Sequence, residues 1–340
     1  MKTYLESVKK ENSLQVLKEL CHNSNLSKTE ISRRCGIGIS TVAKITSGFA
    51  KKGIISPLYT NAENSARRIK SYGIKSTFHV TAYDISTSIF KAYLFRPGRK
   101  LKFTASYGYK SSLYFEDNFY TFCREVKDSE RSITTRRLSG SLILLPGEPD
   151  EGISNIRDPL FPDTNILSPA EIVASLTEAD DLICADKRQL HAAYIRENIL
   201  RDHKLTLAVF LDKTRFSSCI LLHGSDSTVI SDIGNKFTLD GYPLIDYVKD
   251  NPEADHFIGS VVSVLDKLHS ALGFTHLYIC GDYVKNMGML ADMIHQELIK
   301  TLPTVSLIPC ISDEEIVSYY CEELLYRHLS NIIFPNLLTI

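Results

Sequence analysis

The stretch Leu26-Ser27-Lys28-Thr29-Glu30-Ile31-Ser32-Arg33-Arg34-Cys35-Gly36-Ile37-Gly38-Ile39-Ser40-Thr41-Val42 decides how the amino-terminal part of the chain folds. Ser27 followed three positions later by Glu30 is a capping box, in which each side chain satisfies a backbone N–H that the start of a helix leaves without a partner. Leu26 and Ile31 flank the box and can pack across it as a hydrophobic staple. A helix is therefore predicted from about Lys28 to Cys35. Gly36-Ile37-Gly38 cannot easily continue it, and permits the sharp turn that lets a following helix cross at a steep angle. That next helix, capped by Ser40 or its neighbour, is predicted from Thr41 to about Lys52 on the apolar stripe Val42, Ile45 and Phe49. Gly53 stops it.

Upstream, Leu14, Val16, Leu17 and Leu20 recur at helical spacing after Ser13, which predicts a helix over 14–22. Downstream, Ile54 to Leu58 reads as a strand, Asn61 to Asn64 as a turn, and Arg67, Arg68 and Lys70 fall on the return strand. Three helices and a hairpin make the winged helix-turn-helix layout. Its third helix leads with Ser40, Thr41, Ala43 and Lys44 and ends on Lys51 and Lys52. A major groove about 12 Å wide admits a helix only when its leading face is slim, and cations at the far end suit phosphates. Arg67, Arg68 and Lys70 would form a wing that grips backbone or reaches a minor groove. Two other readings stay open at this point: the module could bind a protein, and Ser40 and Thr41 could serve only as caps.

Charge favours the nucleic-acid reading. Residues 1–75 carry fourteen Lys and Arg against five Glu and no Asp, so a chain of net charge −1 divides into a head of +9 and a body of −10. Cations gathered in one part release counterions from phosphates, while an acidic body is repelled by them. No apolar run approaches the eighteen or so residues of a membrane span, and Met1 to Glu11 is charged rather than leader-like, which points to a cytoplasmic protein. The eight cysteines stand singly, without the paired spacing that grips zinc.

After Lys75 the pattern becomes apolar runs alternating with helical stretches. Phe78 to Ala82, Ile89 to Phe95 and Leu101 to Tyr107 read as consecutive strands, followed by a helix near Phe115 to Val126 and a buried strand at Leu142 to Leu145. The plan repeats with strands at Leu205 to Leu211, Ser217 to Leu222 and Leu277 to Cys280, and helices near Ala254 to Leu272 and Leu290 to Lys300. Strand triplets joined by crossover helices imply an α/β fold of mixed sheets, here in two lobes with a cleft between them. The division expected is a head of 1–75 and a body of 76–340.

The order of these segments resembles the ROK family of repressors and sugar kinases over nearly the whole chain. The head resembles the family's from Leu26-Ser27 to Gly53-Ile54-Ile55, with Ala66-Arg67-Arg68 in the wing. Ser141-Leu142-Ile143-Leu144-Leu145-Pro146-Gly147, trailed by Glu148-Pro149-Asp150, looks like the family's strand ending in Pro-Gly. Cys184-Ala185-Asp186, ahead of Ala192-Ala193, looks like its Asn-Asp sugar-contact segment. Ser231-Asp232-Ile233-Gly234-Asn235 stands where the family has Gly-Glu-Ile-Gly-His, and Ile279-Cys280-Gly281-Asp282 where it has an adenosine contact. The resemblance implies an actin-like ATPase fold, hexokinase-type and ribonuclease H-like, behind the winged helix-turn-helix.

Departures from that pattern shape the functional expectation. A phosphate-binding hairpin needs glycines so that backbone N–H groups can close on the anion, yet the first hairpin reads Asp84-Ile85-Ser86-Thr87-Ser88 and the second loop Asp212-Lys213-Thr214-Arg215. Asn235 replaces the histidine of the family's zinc site. The expectation is a regulator, most naturally a repressor of carbohydrate metabolism, that binds a double-stranded operator as a homodimer or homotetramer, with a pseudokinase body and no catalytic residue, cofactor or metal. Asp186, where the family has its catalytic base, Asp232 and Asn235 form a candidate site for a sugar or sugar-derivative effector, and the reading of both aspartates as solvated loop carboxylates stays open. An active ROK-type sugar kinase carrying a DNA-binding head is the alternative, as is a scaffold whose body only dimerises.

Overall fold

Helix α1 spans Lys2–His22, starting well before the point that the apolar periodicity predicts. Ser13 is not a cap but an interior residue, its hydroxyl donating to the Lys9 carbonyl at 2.8 Å. In this computed structural model the described residues are 2–23, 25–61, 68–98, 101–133, 139–147, 169–177, 181–200, 205–212, 216–222, 230–239, 242–244, 246, 254–286 and 289–335.

A two-residue strand, β1 (Leu26–Ser27), leads into α2 (Lys28–Cys35). The capping box closes as the sequence predicts: the Glu30 N–H donates to Ser27 Oγ at 3.2 Å and the Ser27 N–H to Glu30 Oε2 at 2.8 Å. Gly36 ends α2 at φ +64°, a left-handed conformation that a Cβ would oppose. Helix α3 (Ile39–Lys51) then begins from Gly38, two residues before the predicted start, and no side chain caps it. Val16, Leu17, Leu20, Ile31, Val42 and Phe49 are buried together as the head's core. Strands β2 (Ile55–Asn61) and β3 (Arg68–Ile74) form the antiparallel wing, and β1 adds to its edge, Leu26 opposite Tyr72.

The chain divides into two compact units: Met1–Ala185 with Val317–Ile340, and Asp186–Ile316. In the first, β4 (Val80–Asp84), β5 (Ile89–Phe95) and β6 (Lys102–Gly108) form an antiparallel meander. Helix α4 (Phe115–Ile133) crosses over to β7 (Gly140–Leu145), which runs parallel to β4, and α5 (Pro169–Leu176) leads to β8 (Asp181–Asp186). The strand order is β6-β5-β4-β7-β8. Tyr107, Phe115 and Phe119 lie in this unit's core around Phe90, whereas Tyr114 and Tyr120 are exposed.

Helix α6 (Lys187–Asn198) opens the second unit. Strands β9 (Thr206–Leu211), β10 (Phe216–Leu221) and β11 (Ile230–Asp232) are again antiparallel. After the short α7 (Ile233–Lys236), β12 (Thr238–Leu239) and β13 (Tyr242–Pro243), helix α8 (Ala254–Leu272) crosses to β14 (His276–Cys280), parallel to β9. Helices α9 (Asp282–Asn286) and α10 (Leu290–Leu298) precede β15 (Ser306–Ile308). The order β11-β10-β9-β14-β15 repeats that of the first sheet position for position. Such a duplicated sheet, three antiparallel strands followed by a parallel strand reached through a crossover helix, is the α/β plan expected from the alternating pattern.

The last helix, α11 (Asp313–Ile333), returns its carboxyl-terminal part to the first unit. There Arg327 pairs with Asp181 at 3.2 Å, and Glu322 meets His22 of α1 at 2.6 Å. The bond to Glu322 holds the His22 imidazole above its ordinary pKa against the opposing effect of burial. Burial also pushes the Glu130 carboxyl of α4 up to about 7, although the Thr81 hydroxyl and Lys127 pull the other way. Both groups hold a proton in the folded chain at pH values where the unfolded chain has released it. Their stabilising contributions are therefore complete below the ordinary pKa and are lost as pH rises through the folded one. Glu130→Gln, which needs no deprotonation, is expected to exceed the parent in unfolding free energy at pH 8 by roughly 2 kcal/mol and to match it near pH 4. Urea denaturation at the two pH values measures this, and a difference independent of pH contradicts it.

Candidate nucleic-acid interface and ligand site

At about 100° per residue, Ser40, Lys44, Ser47 and Lys51 of α3 fall within an arc of about 60° opposite the buried Val42, Thr46 and Phe49. All four are exposed, and Ala43 on the flank is half-buried. The Ser40 and Thr41 hydroxyls do not cap the helix, since Gly38 supplies the cap and only backbone bonds close the first turn. Ser40 is therefore presented outward at the leading end. Thr41 is half-buried and turns toward α1 rather than outward with the stripe. Ser47 belongs to the stripe and was not among the expected residues; its spacing from Ser40 and Lys51 is the signal that finds it.

Lys51 and Lys52 part company. Lys52 Nζ donates to the carbonyl of Ile333 at 2.8 Å and lies 3.4 Å from that of Ile332, so it is spent on the end of α11. A cation placed there also offsets the partial negative charge of a helix carboxyl terminus. Lys51 stays exposed.

In the wing, Lys70 is exposed and lies 6.0 Å from the Tyr59 ring centre and 5.7 Å from that of Tyr72. Lys28, at the start of α2, also lies over the Tyr72 ring, 5.6 Å from its centre. A cation held over an aromatic face keeps its charge while its stem is ordered. Arg67 lies outside the described residues, and of Arg68 the structure describes the backbone, opposite Asn61 in the wing. Arg33 and Arg34, in the last turn of α2, are exposed and add to the same basic head.

The three candidate effector residues all lie in the second unit, and the fold brings them close. Ser217 on β10 is the partner of Asp232 on β11, and its hydroxyl accepts from Arg188 at 3.3 Å. Arg188 in turn grips Asp186: Nε lies 3.0 Å from Oδ1 and Nη2 2.5 Å from Oδ2. The Arg188 backbone N–H donates to the same Oδ1 at 2.8 Å, making Asp186 the cap of α6. Asp186 is fully buried, so the reading of it as a solvated loop carboxylate fails. Both its oxygens are engaged within the chain. Asp232 caps α7 through the Asn235 N–H at 3.1 Å and accepts from the Asn235 amide at 2.7 Å. These two remain at the surface as a pair bonded to each other.

At the first expected phosphate loop, and at the first residue of the second, a carboxylate of the chain accepts from a backbone N–H. Asp84 accepts from the Ser86 N–H at 3.1 Å and from its hydroxyl at 2.5 Å. In the second unit, Asp212 accepts from the Asp282 N–H, the first of α9, at 3.1 Å. Gly281 before it sits at φ +118°, pressed on Leu211 so closely that a Cβ would lie 2.5 Å from the Leu211 carbonyl oxygen. Residues 213–215 of that loop are outside the described set.

Comparison with known proteins fits this anatomy. Residues 9–56 match the family described as winged helix-turn-helix DNA-binding. The chain has the fold of the ROK regulators and sugar kinases. A ROK family transcriptional regulator, a homolog of the E. coli MLC protein, superposes with a TM-score of 0.62 at 12% identity, over 95% of this chain and 98% of its own. The inorganic polyphosphate/ATP-glucomannokinase of Arthrobacter sp. strain KM gives 0.52 at 10% identity, over 74% of this chain and 98% of its own. A ROK family protein from Streptococcus pneumoniae TIGR4, in complex with sucrose, gives 0.50 at 11%, over 74% and 98%. No curated protein sequence matches the chain. Regulators and kinases thus share one ROK fold.

Proposed function

We propose that this chain is a sequence-specific DNA-binding transcription regulator, a repressor, whose head of residues 1–75 reads the operator and whose body of residues 76–340 is a non-catalytic effector and dimerisation domain. The observation that carries the reading is the slim, exposed stripe Ser40, Lys44, Ser47 and Lys51 on the third helix of a winged helix-turn-helix. Base edges would be met by Ser40, Ala43, Lys44 and Ser47, and phosphates by Lys51, Lys70, Arg67 and Arg68. The regulator's match covers more of the chain than the kinase's by about the size of the head, which supports the same division.

The body reads as a pseudokinase because its loops at 84–88 and 212–215 lack glycine and because Asp186 is clamped by Arg188. Asp232 and Asn235, still accessible, would contact a polyol or sugar derivative, and its unequal affinity for two arrangements of the heads would supply the regulation. The protein works in the cytoplasm as a homodimer or homotetramer. Among the described residues no helix is long and apolar enough to cross a membrane.

Selection of bound duplexes from a random pool by the full-length protein tests the assignment. The expected outcome is one enriched motif in two inverted copies whose centres lie about one helical turn, roughly 10 base pairs, or a multiple of it apart. Ser47→Ala is expected to change the bases preferred within each half-site. A pool that stays random overturns the function, and a single uninverted motif overturns the dimer. Turnover of ATP with any member of a sugar panel overturns the pseudokinase.

A further inference from the structure

Beside the DNA-facing stripe, about a quarter turn around α3, the first unit holds a cavity of about 510 Å³. Its walls come from the amino-terminal half of α1, from α3 and from the end of α11. Val8, Ile45, Phe49, Ile333 and Phe334 give it an apolar floor. Lys9, Lys44 and Lys52 stand at its edge, and no acidic residue lines it among the described residues. Lys52 is already bonded to the end of α11, whereas Lys9 and Lys44 are exposed.

Gly48 sits in the interior of α3 and faces this space, and a Cβ built there would meet no atom within 4 Å. Its φ is not in the left-handed region, so the backbone does not require glycine. A larger side chain at position 48 would therefore project into the cavity without disturbing the chain.

We propose that this cavity binds an amphipathic organic anion, with its apolar body over Phe49 and Ile333 and its acidic group between Lys9 and Lys44. The volume suits a ligand of drug-like size, as mostly apolar sites with a few placed polar groups do. The charge at the edge selects an anion. Because Lys44 belongs to both the cavity and the DNA-facing stripe, the bound anion neutralises a charge that a duplex would otherwise use, and occupancy weakens DNA binding. By linkage, DNA weakens the anion to the same degree. This last step rests on the DNA-binding reading above; the site itself does not.

The probes are 8-anilinonaphthalene-1-sulfonate, its uncharged analogue N-phenyl-1-naphthylamine, and decanoate as a competitor, titrated by fluorescence into the full-length protein. The sulfonate is expected to saturate at one molecule per chain with a dissociation constant on the order of tens of micromolar, and decanoate to displace it. Gly48→Phe, which fills the space, is expected to weaken it more than tenfold. Lys9→Glu is expected to weaken the sulfonate about tenfold and leave the uncharged analogue unchanged. Melting temperatures read alongside show that both variants are folded. Equal affinity in parent and Gly48→Phe, or equal loss of both probes in Lys9→Glu, overturns the proposal. So does a parent that binds neither probe while a chain ending at Pro335 binds both, since residues 336–340 would then be the occupant. Saturating decanoate is expected to weaken duplex binding at least fivefold in the parent and not in Gly48→Phe. If no duplex binds at all, the function fails while the probe titration still decides the site.

Discussion

Replacing Asp186 with alanine is expected to lower the unfolding free energy by about 3–5 kcal/mol, the range in which removal of one partner of a buried ion pair falls. The carboxylate is fully buried and meets Arg188 through both oxygens. Its loss leaves a guanidinium, itself almost wholly buried, without its counter-charge, and α6 without its cap. Desolvation rather than lost attraction sets the size of the effect. The double variant Asp186→Leu with Arg188→Met, which removes both charges, is therefore expected to be closer to the parent than Asp186→Ala. Thermal and urea unfolding of the three proteins measure it. A stable Asp186→Ala protein would mean that the clamp is not formed and that the carboxylate is free.

Removing Lys44 and Lys51 together is expected to weaken duplex binding by at least one to two orders of magnitude near 0.1 M salt and to flatten the slope of log K against log salt by about two units per head, about four for a dimer on two half-sites, close to one for each cation withdrawn from the duplex. Lys44→Ala alone should also relax the preference at one base position, because that side chain stands at the leading half of the stripe, whereas Lys51→Ala should weaken all sequences alike. Arg67→Ala and Arg68→Ala are each expected to behave like Lys51→Ala. Lys52→Ala provides the contrast. Its ammonium is held by the carbonyls of Ile332 and Ile333, so its removal should lower the melting temperature more than the salt slope. Fluorescence anisotropy over a salt series separates these outcomes, and a Lys44→Ala, Lys51→Ala protein with an unchanged slope removes α3 from the interface.

The features legible in the sequence were those written in local pattern. The Ser27–Glu30 box, the glycines of the turn and the apolar stripe of α3 each act within a few residues, and each appears in the structure. The repeated run of strands gave the duplicated sheet for the same reason. The start of α1 was not legible, because residues 2–13 lack an apolar stripe of their own and Ser13 mimics a cap. Strand β1 is two residues long, too short for any alternation to show, and exists because β3 offers it an edge.

At the sites, composition showed what was missing and geometry showed which bonds the chain makes there. The absent glycines in 84–88 and 212–215 were plain, but only the folded chain places Asp84 on the Ser86 N–H and Asp212 on the Asp282 N–H. The Asp186–Arg188 clamp was hidden because residues two apart face each other only where a strand turns into a helix. The cavity behind α3 needs the end of α11, far away in sequence, to close its floor.

The account stands on the head lying against a duplex through α3 and the wing. The most direct measurement is the affinity of the full-length protein for its selected duplex between 50 and 300 mM salt, with a scrambled duplex beside it. The account predicts a selected duplex bound at least a thousandfold more tightly than the scrambled one and, with the charges of Lys44, Lys51, Lys70, Arg67 and Arg68 all laid against the duplex, a log–log slope of about −4 or steeper. Equal affinity for both duplexes, or no binding to either at 50 mM salt, would contradict it.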